Sequence, residues 1–130
     1  MAASAETLAR RIAQGRGSEP ALDAGTDHAV RAFIRRLSER YTVKEAYLYG
    51  SRALGTHRPD SDADIAVVLR DDGGNLWAAI TDMAGIAFDV LLETGVLIEA
   101  LPLRDGDLSR PETFSNPALL HAIRRDGRQL

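Results

Sequence analysis

The 130-residue chain has no cysteine, which excludes disulfides and thiolate zinc sites and fits a reducing, cytoplasmic setting. It has no apolar run long enough to span a bilayer. Its first residues, MAASAETLARRIAQGRG, lack the continuous apolar segment of a secretory signal. Charge of neither sign dominates: 16 Lys and Arg stand against 19 Asp and Glu, a net charge of -3. Charge alone therefore points to neither a membrane nor direct nucleic-acid binding. The phosphate-loop pattern GxxxxGK[ST] does not occur, which disfavours that class of ATPase. The three histidines, His28, His57 and His121, show no metal-ligand spacing and are expected at the surface. Aromatic residues make up only 5% of the chain, and Trp77 and Phe88 are expected to pack in the core.

What is present is an ordinary globular composition, 45% hydrophobic and 27% charged, enough for one domain and one core. Residues 1–25, rich in Ala, Gly and Arg, are expected to form a flexible arm, with a short helix over Thr7–Gln14. Residues 26–130 are expected to form the domain. Val30, Phe33, Ile34 and Leu37 recur at helical spacing, capped by Thr26 or Asp27, with Arg31, Arg35, Arg36 and Arg40 on a solvated face. EAYLY (45–49) reads as a strand, SRAL (51–54) as one helical turn stopped by Gly55, and DIAVVL (64–69) as a second strand. DDGG (71–74) reads as a turn. Leu76, Ile80, Met83, Ala87, Val90 and Leu91 then repeat with helical period up to Gly95. VLIEAL (96–101) reads as a third strand closed by Pro102. Asn116 caps a last helix carrying Leu119, Leu120 and Ile123, which Gly127 ends. The twelve residues or so between the first two strands leave no room for a crossover helix, so those strands should pair antiparallel, while the later strand–helix–strand unit should be parallel. The class is α/β (α+β), a small mixed sheet covered by helices.

The stretch YGSRALGTHRPDSDADIAVVL (49–69) concentrates the chemistry. Asp62 and Asp64, two apart at a strand's opening, project to one side. Two such charges about 5 Å apart repel by roughly 3 kcal/mol at an effective dielectric near 20. A divalent cation turns that repulsion into attraction, and magnesium is held by one or two carboxylates together with substrate phosphates. Gly50-Ser51 ends the preceding strand, where backbone can approach a ligand closely and the amides of the following turn suit phosphate oxygens. Arg52 adds a cation that either reaches the same phosphates or serves the loop. Glu99, on the third strand, is a candidate third carboxylate, either ligand or proton acceptor, unless it merely faces solvent. Asp89 is a weaker contender.

Gly-Ser, ten residues, then Asp-x-Asp resembles the signature of the nucleotidyltransferase superfamily of the DNA polymerase β type. The fuller string GSRALG…RPDSDADIAVVL resembles the minimal nucleotidyltransferases, as does the Arg-rich ending AIRRDGRQL. The resemblance covers roughly Asp27 to the C-terminus. It implies the nucleotidyltransferase fold, with Mg2+ on Asp62, Asp64 and a third acidic residue, and ATP or another nucleoside triphosphate on Gly50 and Ser51. The family's usual third residue is Asp, where this chain offers Glu99. The chain lacks the extra helices that hold the acceptor in larger relatives, so the resemblance implies an acceptor brought by another protein. Many minimal nucleotidyltransferases are antitoxins paired with HEPN-type toxin ribonucleases, and some transfer AMP to a hydroxyl of that toxin. Two rival readings remain at this level: a non-catalytic antitoxin-like binding protein with a degenerate site, and a small-molecule transferase of the aminoglycoside type, to which a homo-oligomer would have to contribute the acceptor site.

Overall fold

The computed structural model describes residues 21–70 and 75–130; the expected helix at Thr7–Gln14 and turn at 71–74 lie outside them. Helix α1, Ala24–Ser38, starts earlier than the sequence suggested. Its cap is Asp23, not Thr26 or Asp27: the Asp23 carboxylate accepts from the Thr26 amide at 2.8 Å and the Thr26 hydroxyl at 3.0 Å. Burial works against ionisation of Asp23, but these two hydrogen bonds, with His57 and Arg52 nearby, hold its carboxyl below the usual range. The buried face of α1 includes Val30, Phe33, Ile34 and Leu37, as the spacing predicts.

Strand β1 (Val43–Tyr49) leads into a single turn, α2 (Ser51–Leu54), and a loop to β2 (Ala63–Leu69). The long helix α3 (Leu76–Thr94) is capped by Asn75 and closed by Gly95. Then follow β3 (Ile98–Arg104), a 3-10 turn (Pro111–Thr113), α4 (Pro117–Asp126) and a short β4 (Arg128–Gln129). The sheet runs β3-β2-β1-β4. β1 is antiparallel to β2 and β4, and β2 is parallel to β3.

β2 lies between two layers. Ala63, Ile65, Val67 and Leu69 join the core under α1 and α3. Ala66 and Val68 pack with Leu103 and with Leu120 and Ile123 of α4 on the other face. Burial on both sides explains why DIAVVL is continuously apolar after its first residue.

Three expectations change. β3 does not stop at Pro102; it continues to Arg104, with Pro102 in register with Val67. An edge strand tolerates the missing amide donor, because one row of its backbone groups pairs with no strand among the described residues. The last helix ends at Gly127 as expected, and beyond it Arg128 and Gln129 pair with Leu48 and Tyr47, while buried Leu130 donates its amide to the Ala46 carbonyl at 2.9 Å. Trp77 and Phe88 are not core residues; they are 74% and 53% exposed. Ala79, Met83, Ile86 and Val90 fill the inner side of α3, and the two aromatics, about three turns apart, share its outer side. The arginines of α1 are also less free than a solvated face implies. Arg31 pairs with Asp27 at 2.7 Å, Arg36 reaches across to Glu93 (2.5 Å) of α3, and Arg40, just past the end of α1, reaches Asp82 (3.6 Å) of α3. No helix among the described residues is long and apolar enough to cross a membrane.

Candidate active site

The site begins with a backbone requirement. Gly50 closes β1 at φ 74°, ψ -159°, a conformation essentially confined to glycine. A Cβ at this position would run into Oδ2 of Asp64 and lie 3.4 Å from its Cγ. The Asp64 carboxylate therefore rests directly against the Gly50 backbone, and the two halves of the sequence motif meet. Ser51 opens α2, whose first amides stand outside the helical ladder.

Register supplies the rest. Asp64 lies opposite Tyr49 on β1 and opposite Glu99 on β3. Cross-strand partners share a face at a strand spacing of about 4.8 Å, so Tyr49, Asp64 and Glu99 form one row across three strands. Asp62 precedes β2 by one residue; the next residue, Ala63, is pinned by its amide donating to the Leu97 carbonyl at 2.8 Å. Asp62 and Asp64 are half-buried, and Glu99 is exposed on the edge strand. Burial, then the charge of Glu99, then that of Asp62, push the Asp64 carboxyl up to about 6. Burial, with Asp64 and Glu99, pushes the Tyr49 phenol up to about 12. Asp62, Asp64 and Glu99 thus share one electrostatic environment. Asp89 does not join them: on α3 it faces Arg36 at 3.7 Å.

Sequence reasoning did not place Tyr49 in this row. The signal was there: the residue before Gly50 must pair with the opening of the next strand in any short antiparallel connection.

Arg52 serves the loop. It is 5% exposed, and its guanidinium donates to the carbonyls of Ser61 (3.0 Å) and Pro59 (3.1 Å) and to the Thr26 hydroxyl (2.7 Å). It ties the loop that delivers Asp62 to the start of α1. His57, in the same loop, is 18% exposed and bonds Asp23 at 2.7 Å. Replacing Arg52 by Ala strips three acceptors of their donor, and we expect a loss of about 2 kcal/mol in urea unfolding. Arg52→Lys should recover only part of it, since an ammonium cannot span the acceptors that a planar guanidinium forks between. Unfolding midpoints equal to wild type would show that the clamp is not structural.

Can these residues hold a divalent cation? The donors are hard carboxylate oxygens, their mutual repulsion is written into Asp64, and the Gly50 cradle leaves backbone open beside them. Among the described residues no three His, Cys, Asp or Glu side chains already form a ligand cluster. Magnesium needs only one or two carboxylates and completes its shell with water and substrate phosphates. The residues fit.

A groove of about 290 Å³ opens beside Glu99, between β3 and α3. A cavity of about 440 Å³ lies farther along the sheet, lined by Tyr47, Val68 and Arg124 among others, and contains no member of the acidic row.

No curated protein matches the sequence. In structure the chain is similar to a proposed nucleotidyltransferase from Sulfolobus solfataricus, at 18% identity and a TM-score of 0.40, over 74% of this chain and 85% of that one. The family described as nucleotidyltransferase domain matches residues 30–103, more than half of the chain, from within α1 to the end of β3. That span takes in Gly50, both aspartates and Glu99, and family membership implies a nucleotide substrate: the chain belongs to the nucleotidyltransferase domain family, and its chemistry is nucleotidyl transfer.

Proposed function

We propose that this domain transfers a nucleoside monophosphate, AMP from ATP, to a hydroxyl of a partner protein of the HEPN toxin type, as the antitoxin of such a pair. The observation that supports the reading is the contact of Asp64 with the Gly50 backbone, since a turn suited to phosphate would then lie beside a carboxylate suited to its metal. Asp62 and Asp64 would hold Mg2+, which when bound neutralises triphosphate charge and that of departing pyrophosphate, and Glu99 stands beside them as the third carboxylate. The amides that follow Gly50, with the Ser51 hydroxyl, bind the triphosphate. The acceptor oxygen forms a bond to the α-phosphorus, the bond from that phosphorus to the bridging oxygen breaks, and pyrophosphate leaves. Glu99, the exposed member of the row, takes the hydroxyl proton. Positioning and charge neutralisation supply most of what such a transfer needs.

The test uses the full chain, α-labelled ATP, magnesium and a HEPN-type partner. Label should appear on the partner and depend on magnesium. Label on a small aminoglycoside instead would favour the antibiotic-modifying alternative. No label from any nucleoside triphosphate, together with no magnesium-dependent heat of ATP binding, would leave a contact inhibitor as the function. Glu99→Gln should slow transfer about tenfold while leaving ATP affinity unchanged, the pattern of a group that acts on the acceptor's proton.

A further inference from the structure

The charged residues of α3 are Asp82, Asp89 and Glu93, and all three turn toward α1 and the turn that follows it, where Tyr41 and Arg40 meet Asp82, and Arg36 meets Asp89 and Glu93. The outer face of the helix is left without a charge. It presents Trp77 (74% exposed), Ile80 (40%), Phe88 (53%) and Leu92 (72%) around a centre of Ala84 and Gly85. A helix apolar on both sides is ordinarily covered on both, and a contiguous apolar patch of this size on a soluble surface marks an interaction site.

We propose that this face is the two-fold contact of a homodimer, with α3 packed antiparallel on α3 of a second copy. The arrangement of the residues matches that occupant. Trp77 and Leu92 stand equally far from the midpoint between Ala84 and Gly85, and Ile80 and Phe88 nearly so. In an isologous contact each bulky end then lies on the opposite bulky end, and the small residues meet at the crossing. A two-fold axis also brings near-axis charges against their own copies, so only an uncharged face suits it; the acidic rim is partly neutralised from within the chain by Arg36 and Arg40. At 150–250 Å² for a fully exposed aromatic, these side chains offer about 500 Å² per copy, or about 1,000 Å² for the pair, which meets the lower threshold for a specific interface before any flanking residue is counted. The contact does not rest on the transfer chemistry, though Ile80 and Ala84 of this face also line the groove beside Glu99.

The absence of cysteine makes the test clean. A Cβ at Gly85 meets nothing within 4 Å, so Gly85→Cys fits the fold, and at the crossing it would face its own copy. Leu54→Cys, at a position 59% exposed but outside this face, is the control. In sedimentation the wild-type 130-residue chain should run at twice its 14.1 kDa mass, and Phe88→Glu should run as a monomer with unchanged circular dichroism. Under mild oxidation, Gly85→Cys should form the crosslinked dimer at least about tenfold faster than Leu54→Cys, because association raises the local thiol concentration. A wild-type chain that stays monomeric at every concentration overturns the proposal, as does equal crosslinking of the two cysteine variants. A dimer that Phe88→Glu leaves intact also overturns it.

Discussion

Gly50→Ala should lose at least about 100-fold in transfer rate while losing only about 1–2 kcal/mol of stability. The two effects separate because of what the new methyl meets. It strikes the far end of the Asp64 side chain, not backbone, so the fold can relieve the overlap by turning that carboxylate aside. The strain that stays is the backbone one, at φ 74°, ψ -159°. The catalytic damage cannot be relieved in the same way, since turning Asp64 away from the cradle is the very displacement that uncouples carboxylate from phosphate. Gly55 supplies the control. It too has positive φ, at 76°, but in the left-handed helical region and with nothing within 4 Å of a Cβ. Gly55→Asn should therefore fold and transfer at close to the wild-type rate. Equal losses at both glycines, read by rate and by thermal unfolding, would show that backbone strain and not the Asp64 contact matters at Gly50.

How far the sequence could carry this picture depended on whether a feature is local. The helix spacing of α1, the one-turn α2 with its left-handed Gly55 and the Asn116 cap of α4 follow from neighbours a few residues apart, and each is where the pattern puts it. The pairing of Asp64 with Glu99 was legible only as a suggestion, because register between parallel strands depends on how the intervening helix seats them. Glu99 in VLIEAL looks the same whether it faces the acids or the solvent until β2 and β3 are aligned. Arg52 shows the limit from the other side: its charge beside Gly-Ser reads equally well as a phosphate ligand, and only the carbonyls of Pro59 and Ser61, brought round by the loop, decide the matter. Trp77 and Phe88 misled for a different reason. Hydrophobicity places a side chain against something apolar, but not against its own chain's core.

Asp64→Asn should abolish most transfer, by about 10²–10³-fold or more, and at the same time make the ligand-free protein more stable at neutral pH. The sign follows from the direction of the shift. Burial, Glu99 and Asp62 raise the Asp64 carboxyl from 3.8 to about 6. Between those values the folded chain keeps a proton that the unfolded chain has released. Its contribution to stability therefore falls as pH rises through that window, and the full penalty persists above pH 6. At about 1.4 kcal/mol per pKa unit the limit is near 3 kcal/mol, and solvent screening of a half-buried group brings it to about 1–2 kcal/mol. Asn keeps the shape without the charge, so the wild-type-minus-variant difference should open between pH 4 and 6 and then stay constant. Taking that difference also cancels Asp23, which has its own shift in the opposite direction. Magnesium at neutral pH should raise the melting temperature of wild type and leave Asp64→Asn where it was, because only the former has the excess charge to bridge. A variant no more stable than wild type at neutral pH would mean that the acids are not held against one another, and the reason for reading them as a cation site would go with it.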